Sequence, residues 1–348
     1  GVLTGRPAPL NDVEVGERSL ENALLRIEFA DDGTLASVFD KRLGREVLAG
    51  RGNQIWAYQD QPSNYDAWDI EGDYNRRGEE ATASAIEIAE AGGQRGAIRI
   101  ARPVKNSTIV QSVRLWAGTA RIDFATRFDW RDRRVLVKAL FPLAVRSDAA
   151  SFECAFGVHR RPTHANTSWD AARFEVAHHR FVDLSEPGYG VALLNDGRYG
   201  CHARGGELGL SLIRSPILPD PLADEGVHDL TYALLPHPGD WIEGGVLAEA
   251  EDLNRPLFHR PFTGPEDARS FLDIEGKNLA LAALKPAEDG EGLILRLYES
   301  AGSRGPVTIS PPRGWRVAGE VSLLEEPLPD CPPTIAPFQI RGWRLVPV

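Results

Sequence analysis

Alternating apolar and polar positions dominate the chain. In the run 121–130, apolar side chains alternate with charged ones along most of its length. Because successive side chains of a strand point to opposite faces, this pattern predicts a strand with one buried face and one face in water. The same spacing recurs at Leu25-Ile27-Phe29, Ile86-Ile88, Ile98-Ile100, Leu208-Leu210-Leu212 and Leu293-Leu295-Leu297. No long stretch has the 3.6-residue period of an amphipathic helix.

Turn residues separate these strands, since the chain contains 34 glycines and 25 prolines. Asp31-Asp32-Gly33 and Asn195-Asp196-Gly197 each follow a strand-like run, and both are predicted to form hairpin turns. Many short strands separated by turns favour an all-β fold in which sheets pack face to face as a sandwich or barrel.

The length of 348 residues suits two domains. Three prolines interrupt every periodic pattern near residues 255–268, which predicts the break between them. We therefore expect one large β domain over residues 1–260 and a small sandwich over residues 268–348. Strand signals in the second domain lie at 279–284, 293–299, 306–310, 315–323 and 338–346.

Charge and cysteine content narrow the function classes. The formal net charge is −11, and an acidic surface repels phosphate backbones, so nucleic acid is not an expected partner. Cys154, Cys201 and Cys331 form no CxxC pair, which predicts buried thiols in a reducing compartment. The first ten residues lack the pattern of a signal peptide, and no apolar run approaches ~18 residues. We expect a cytoplasmic protein without a membrane partner.

The first candidate site is the segment Gln59–Asp73, in which carboxylates surround aromatic residues. Aromatic faces stack on the C–H groups of sugars, and carboxylates accept hydrogen bonds from sugar hydroxyls. Glycoside hydrolysis also needs two carboxylates at a set separation. The alternative is a solvated acidic loop with its aromatic side chains in the core, which composition alone favours slightly.

Two further segments carry candidate chemistry. In Phe156–Val176, His159 and His164 are candidate metal ligands together with His178 or His179, but their spacing matches no zinc signature and we expect no metal. In Ser215–His228, carboxylates and an imidazole occupy a proline-rich stretch that is expected to be a loop. This loop either reaches a substrate pocket or is an inert connection.

Long runs of the sequence resemble one family. They are residues 21–48, 56–71, 160–200, 210–237, 270–302 and 337–345, including WAYQDQPSNYDAWDIE and LSLIRSPILPDPLADEGVHDLTYALLPH. These runs resemble the region downstream of the catalytic domain in glycoside hydrolase family 38 α-mannosidases, especially the bacterial and cytosolic branch. The resemblance implies a large β-supersandwich of the galactose-mutarotase type, followed by a smaller β-sandwich.

The resemblance also implies a function for the parent enzyme. That family is a group of retaining exo-α-mannosidases with an Asp nucleophile, an Asp/Glu acid/base and a zinc ion, all in an N-terminal α/β barrel and its following helices. This sequence has no βαβ alternation and none of the family's zinc-binding His-Asp motifs. No catalytic residue or zinc ligand is therefore assigned to this chain, and zinc is expected in the catalytic domain that the chain lacks.

What the resemblance carries over is a supporting role. The β region packs on its own N-terminal catalytic domain and contributes loops to the rim of the pocket for a mannose-containing oligosaccharide. The rim candidates here are Tyr65, Asp66, Trp68, Asp69, Asp224 and His228. The alternative is an autonomous carbohydrate-binding or mutarotase-like β-sandwich protein, although the histidines lie in no mutarotase motif.

Overall fold

The computed structural model describes residues 10–257, 270–329 and 332–348. These residues form two compact units. The larger contains residues 10–153 and 160–257, and the smaller contains residues 154–159, 270–329 and 332–348. The predicted domain break falls mainly on residues 258–269, which lie outside the described residues.

Short antiparallel strands make up the larger unit. In chain order they are β1 (Glu14–Gly16), β2 (Ser19–Glu21), β3 (Leu25–Phe29), β4 (Leu35–Asp40), β5 (Arg45–Glu46), β6 (Gln54–Gln59), β7 (Gly78–Glu80), β8 (Ala85–Gly92), β9 (Arg95–Val104), β10 (Ser107–Trp116), β11 (Ile122–Trp130), β12 (Val135–Pro142), β13 (Ala149–Cys154), β14 (Gly157–Pro162), β15 (Val176–Ala177), β16 (Phe181–Glu186), β17 (Tyr189–Asn195), β18 (Gly200–Arg204), β19 (Glu207–Arg214) and β20 (Gly226–Pro238). The helices described are α1 (Ser168–Ala172), α2 (Val246–Asn254) and a 3-10 turn, Tyr74–Arg76. Neither α-helix has the length or apolar composition that crossing a bilayer requires.

Two large sheets face each other in this unit. The nine-stranded sheet has the order β14-β13-β16-β17-β20-β11-β10-β9-β8, and the six-stranded sheet has the order β15-β18-β19-β12-β6-β7. Phe124 on β11 stacks on Tyr232 of β20 and meets Phe141 of β12 edge-on, with ring centroids 4.9 and 5.6 Å apart. A five-stranded sheet, β1-β2-β3-β4-β5, completes the unit. The predicted all-β sandwich is confirmed.

A buried polar network lies inside this apolar core. Gln111 donates to Thr126 Oγ1 (3.0 Å) and Tyr232 Oη (2.6 Å), and its Oε1 accepts from Arg102 Nη1 (2.6 Å) and Asn53 Nδ2 (3.1 Å). Tyr232 in turn donates to Asn53 Oδ1 (2.6 Å). Burial lowers the pKa of Arg102 to about 10, so the guanidinium stays charged at neutral pH. Apart from Arg102 Nε, which is buried without a hydrogen-bond partner, these groups satisfy one another, and the bonds of Asn53 tie the nine-stranded sheet to the start of β6.

The smaller unit is built from strands β21 (Asp273–Glu275), β22 (Leu279–Pro286), β23 (Leu293–Glu299), β24 (Gly305–Pro306), β25 (Thr308–Ser310), β26 (Trp315–Val321), β27 (Thr334–Ile335) and β28 (Ile340–Pro347). Its four-stranded sheet has the order β22-β23-β28-β26, and two-stranded sheets pair β21 with β25 and β24 with β27. Leu295, Leu297, Trp343 and Leu345 form its buried core. All five predicted strand regions of this part of the chain contain strands.

The two predicted hairpin turns have different outcomes. Asp31-Asp32-Gly33 joins the paired strands β3 and β4, with Gly33 at φ 82°, as predicted. The prediction of a hairpin at Asn195-Asp196-Gly197 is wrong, because the strands on either side of this turn belong to different sheets. β17 lies in the nine-stranded sheet and β18 in the six-stranded sheet. The turn is real, since Asn195 Oδ1 accepts from the amides of Gly197 and Arg198, but it carries the chain from one sheet to the other.

The expectation of buried thiols holds in part. Cys201 is buried and unpaired, whereas Cys154 is unpaired and exposed because it ends β13 with its side chain turned outward. Cys331 lies outside the described residues.

We predict that Tyr232→Phe lowers the free energy of unfolding by about 1–3 kcal/mol, because it leaves Asn53 Oδ1 and one Gln111 N–H buried without this partner. Thermal unfolding followed by circular dichroism measures the loss. Tyr199→Phe, on an exposed side chain, is the matched control and is expected to change stability little. Equal effects of the two variants would contradict the role given to the network.

Candidate functional site

Residues 60–73, here called the acidic aromatic loop, follow β6 and contain a tight turn at residues 65–69. Tyr65 takes the left-handed conformation (φ 52°), and its carbonyl accepts from the amides of Trp68 (2.7 Å) and Asp69 (2.9 Å). The turn holds Tyr65 and Trp68 outward, 72% and 75% exposed. Asp69 is also exposed, and its Oδ1 accepts from the following amide, that of Ile70. The two aromatic candidates are therefore available to a ligand or a partner rather than tucked into the core.

Arg214, at the end of β19, anchors this loop. Its Nε donates to Asp60 Oδ2 (2.5 Å), and its terminal nitrogens donate to the carbonyls of Ala67 (3.0 Å), Asp66 (2.7 Å) and Asp69. Burial raises the pKa of Asp60 above its ordinary value, and the Arg214 guanidinium opposes that rise. One side chain thus holds the start and the tip of the loop to a rigid strand.

Asp66 connects the acidic aromatic loop to residues 215–225, here called the proline loop. Its Oδ2 accepts from the backbone amides of Ile217 (2.6 Å) and Leu218 (3.1 Å). The structure therefore brings the first and third candidate segments into direct contact. This carboxylate oxygen positions a neighbouring loop and is not free to meet a sugar.

Residues 163–176, here called the Trp169 segment, lie against the acidic aromatic loop from the other direction. Thr167 and Asp170 cap α1 reciprocally, a capping box that fixes the first turn of this short helix. Trp169 on that helix is 77% exposed. Phe174 packs on Tyr74, with ring centroids 6.3 Å apart, and sits opposite Gly72. All three candidate segments are therefore linked by contacts.

A buried ion pair lies beneath these segments on the outer face of the six-stranded sheet. Lys138 Nζ on β12 donates to Glu175 Oε1, which also accepts from Tyr74 Oη (2.7 Å) and lies 3.1 Å from His202 Nδ1. Burial alone would raise the pKa of Glu175, but Lys138 and His202 outweigh it and hold the pKa at about 2. The Lys138 ammonium is fully buried, so its charge requires this carboxylate.

The remaining rim candidates lie at the far end of the proline loop. Asp224 is exposed in the left-handed conformation (φ 60°), and its carbonyl lies 2.8 Å from His228 Nε2. The expectation that His228 belongs to a loop is wrong. Residues 226–235 contain no proline, so they pair with β11 and place His228 inside β20 opposite Phe128.

The candidate metal ligands do not converge. His178 is buried, with Nδ1 3.0 Å from Tyr199 O and Nε2 2.9 Å from Asn195 Nδ2, so both ring nitrogens are occupied. Burial lowers its pKa to about 4, which keeps the ring neutral. His164 lies 3.6 Å from Asp170. Within residues 10–257, 270–329 and 332–348, no group of three His, Cys, Asp or Glu side chains is arranged to hold a metal ion.

Sequence reasoning missed three residues that organise the site, namely Lys138, Glu175 and Arg214. A lysine in the middle of the apolar run Val135–Pro142 was a usable signal, because a charge there must find a buried partner. Nothing local marks Glu175 as that partner, since it lies 37 residues away along the chain.

Comparisons with known proteins identify related sequences along most of the chain. The model of the glycosyl hydrolases family 38 C-terminal domain matches residues 20–222, and that of the family 38 C-terminal beta sandwich domain matches residues 278–343. Alpha-mannosidase 2C1 of Homo sapiens is 38% identical over 351 residues, covering 95% of this chain and 34% of the human protein. Alpha-mannosidase G of Dictyostelium discoideum is 33% identical over 300 residues, covering 82% of this chain and 28% of that protein.

The chain thus spans about a third of the length of the curated relatives it matches. Among solved structures, a protein of glycosyl hydrolase family 38 from Enterococcus faecalis superposes with a TM-score of 0.80 at 16% identity. The match covers 96% of this chain and 44% of that one, and it supports the fold.

We predict that Arg214→Gln loosens the acidic aromatic loop, because the loop loses its Asp60 ion pair and its carbonyl contacts together. Limited chymotrypsin digestion should cut faster after Tyr65 and Trp68, as mapped by mass spectrometry. Arg127→Gln, which breaks an exposed pair with Asp229, is the matched control and should leave these sites as they are. Unchanged cleavage in Arg214→Gln would contradict the anchoring role.

We predict that Lys138→Met lowers the free energy of unfolding at pH 7 by about 3–5 kcal/mol, because it leaves the Glu175 carboxylate buried without its cation. Lys138→Met combined with Glu175→Gln should recover most of that loss. Lys41→Met, which breaks a more exposed pair with Glu21, should cost under about 1 kcal/mol.

The pH dependence of this ion pair follows from the same contacts. The ordinary pKa of a glutamate is 4.5, and that of Glu175 is lowered to about 2. The stabilisation that the Glu175 carboxylate provides is therefore complete above pH 4.5 and is lost as the pH falls towards 2. Denaturant unfolding as a function of pH measures it. A double variant no more stable than Lys138→Met alone would show that the charge is not the cause.

Proposed function

Because this chain belongs to glycosyl hydrolase family 38, matching its C-terminal domain models, we propose that it is the non-catalytic C-terminal region of a retaining α-mannosidase. In this role it packs on an N-terminal catalytic domain and contributes loops to the rim of the sugar pocket. The full-length enzyme would hydrolyse terminal α-mannosides of mannose-containing oligosaccharides, and its zinc ion would lie in the catalytic domain.

The observation that carries this proposal is the group of exposed apolar side chains on the acidic aromatic loop and on the two segments that contact it, the proline loop and the Trp169 segment. We call this surface the aromatic face, and its members are Tyr65, Trp68, Trp169, Leu218 and Leu222. Large apolar side chains gathered on an exposed surface usually mark an interface. The part of the relatives that this chain does not match offers a partner for the aromatic face, since two-thirds of Alpha-mannosidase 2C1 lies outside the matched region.

Within this proposal the rim candidates take different roles. Tyr65, Trp68, Asp69 and Asp224 project from exposed turns and are the side chains we assign to the pocket rim. Asp66 acts indirectly, because its Oδ2 holds the proline loop in place. His228 lies half-buried in β20, and its contact with the Asp224 carbonyl supports the end of that loop.

A cytoplasmic, reducing compartment is part of the proposal. Two unpaired cysteines support it: Cys154, exposed on the surface, and Cys201, whose thiol pKa is raised by burial. An exposed free thiol is typical of proteins kept reduced.

We predict that this chain alone does not hydrolyse an aryl α-mannoside, with or without zinc, because glycoside cleavage needs two carboxylates that cannot be assigned here. Association with a separately produced N-terminal barrel segment of the same family tests the docking role. Trp68→Ser together with Trp169→Ser should weaken association about 30-fold or more, the loss expected for central aromatic anchors.

Leu324→Ser, on an equally exposed apolar side chain of the smaller unit, is the matched control and should not weaken association. Turnover by the isolated chain would refute the proposal. So would association that stays equally tight when both tryptophans are replaced. Saturable binding of mannose to the isolated chain, lost in Trp68→Ser, would favour the autonomous carbohydrate-binding alternative instead.

A further inference from the structure

A cleft with a basic lining opens between the acidic aromatic loop and the proline loop on one side and two tight turns on the other. Its volume is about 770 Å³. Its wall carries four cationic side chains, Arg77, Lys105, Arg133 and Arg134, against the single carboxylate of Glu79. Since the whole chain has a formal net charge of −11, this is a local concentration of positive charge on an acidic protein.

The backbone fixes where two of these cations stand. Arg134 takes the left-handed conformation (φ 54°), its amide donates to Ser215 O (2.6 Å), and its carbonyl accepts from the amide of Asp60 (2.8 Å). Lys105 is also left-handed (φ 50°), in the short turn between β9 and β10. Non-glycine residues hold this conformation only where surrounding contacts impose it. The cationic side chains therefore start from rigid positions rather than from a mobile surface.

Two of the four cations form no direct ion pair with a described residue, although Asp60 lies near Arg134 and Glu71 lies near Arg77. Lys105 pairs with Glu79 (3.0 Å) and Arg133 with Glu225 (3.3 Å). Neither Arg77 nor Arg134 has a described carboxylate within ion-pair distance, and Arg134 Nε is buried without a hydrogen-bond acceptor. A guanidinium presents five N–H donors, so Arg77 and Arg134 keep donors that an anion in the cleft can accept from in place of water.

We propose that this cleft binds phosphate, either as the inorganic ion or as the phosphoryl group of a sugar phosphate. A phosphate has enough oxygens to accept from two guanidinium groups and an ammonium at once, whereas a carboxylate has only two oxygens. Gln59 and Gln61 line the same cleft and offer amide groups to sugar hydroxyls, while Ile217 and Pro221 offer apolar walls. A nucleic acid does not fit, because its backbone needs an extended basic stripe and this chain is acidic elsewhere.

Titration calorimetry of the 348-residue chain with inorganic phosphate, in a phosphate-free buffer of low ionic strength, tests the proposal. We expect one phosphate per chain and an affinity that falls as salt is added. Arg134→Gln and Arg77→Gln should each weaken binding about tenfold or more, as expected for losing a charge-assisted hydrogen bond. Circular dichroism checks that each variant is folded. If Arg134→Gln unfolds the chain, Arg77→Gln still tests the proposal, because Arg77 is exposed and its replacement is expected to leave the fold intact.

Arg316→Gln is the matched control, because it removes the same charge from an exposed position on β26 and should leave the affinity unchanged. Absence of saturable binding up to about 10 mM phosphate would overturn the proposal, as would equal weakening by Arg316→Gln. Mannose 6-phosphate distinguishes the two sources. If mannose 6-phosphate binds more tightly than inorganic phosphate, the natural ligand is a sugar phosphate. If the two bind equally, the ligand is the inorganic ion. Binding of free mannose without binding of either phosphate would overturn the proposal.

This measurement does not depend on the proposed function. It follows phosphate binding by this chain and requires neither a catalytic domain nor α-mannosidase turnover. Failure of the docking experiment would leave the phosphate site standing, and absence of phosphate binding would leave the docking role standing.

Discussion

The buried charge of Lys138 constrains everything built on the outer face of the six-stranded sheet. A fully buried ammonium has to meet a carboxylate, and the one it meets, Glu175, belongs to a separate segment of the chain. Holding Glu175 in place holds the Trp169 segment, which packs Phe174 on Tyr74 at the end of the acidic aromatic loop. The exposed Trp169 therefore stands on a segment that an electrostatic requirement inside the sheet holds in place, whereas Tyr65 and Trp68 stand on the loop that Arg214 anchors. Loops fixed in this way can present large apolar groups to a partner without the entropic cost of ordering them on contact.

Arginine serves two opposite purposes in the same neighbourhood. Arg214 donates four hydrogen bonds, to Asp60 and to the carbonyls of the acidic aromatic loop, and these bonds make the loop rigid. Arg134 is held by its backbone between the acidic aromatic loop and the proline loop, while its side chain forms no direct ion pair with a described residue. The planar, permanently charged guanidinium group suits both structural support and ligand binding. It can donate to several backbone carbonyls at once, or it can bind an oxyanion of matching geometry. Structural support and a candidate ligand site thus lie side by side.

The relation of this chain to its relatives agrees with that arrangement. It spans about a third of their length, and it carries exposed loops on a β-sandwich whose described residues include no group of His, Cys, Asp or Glu side chains arranged to hold a metal ion. Its buried polar network stiffens the sandwich, because sliding one sheet over the other would separate Asn53 from both Gln111 and Tyr232.

The sequence by itself determined the strands, one of the two predicted hairpins and the family, because alternation, turn chemistry and long matching runs are all local properties. The segment Ile122–Trp130 alternates in the structure as it does in the sequence, and Asp31-Asp32-Gly33 turns where its glycine permits a positive φ. Only the tertiary structure decided what the candidate residues do. Asp66 binds a neighbouring loop, His228 lies within a strand, and Asn195-Asp196-Gly197 passes between sheets. The basic cleft likewise gathers side chains from separate turns. Strand pairing and charge compensation act between residues distant in the chain, so no local pattern can specify them.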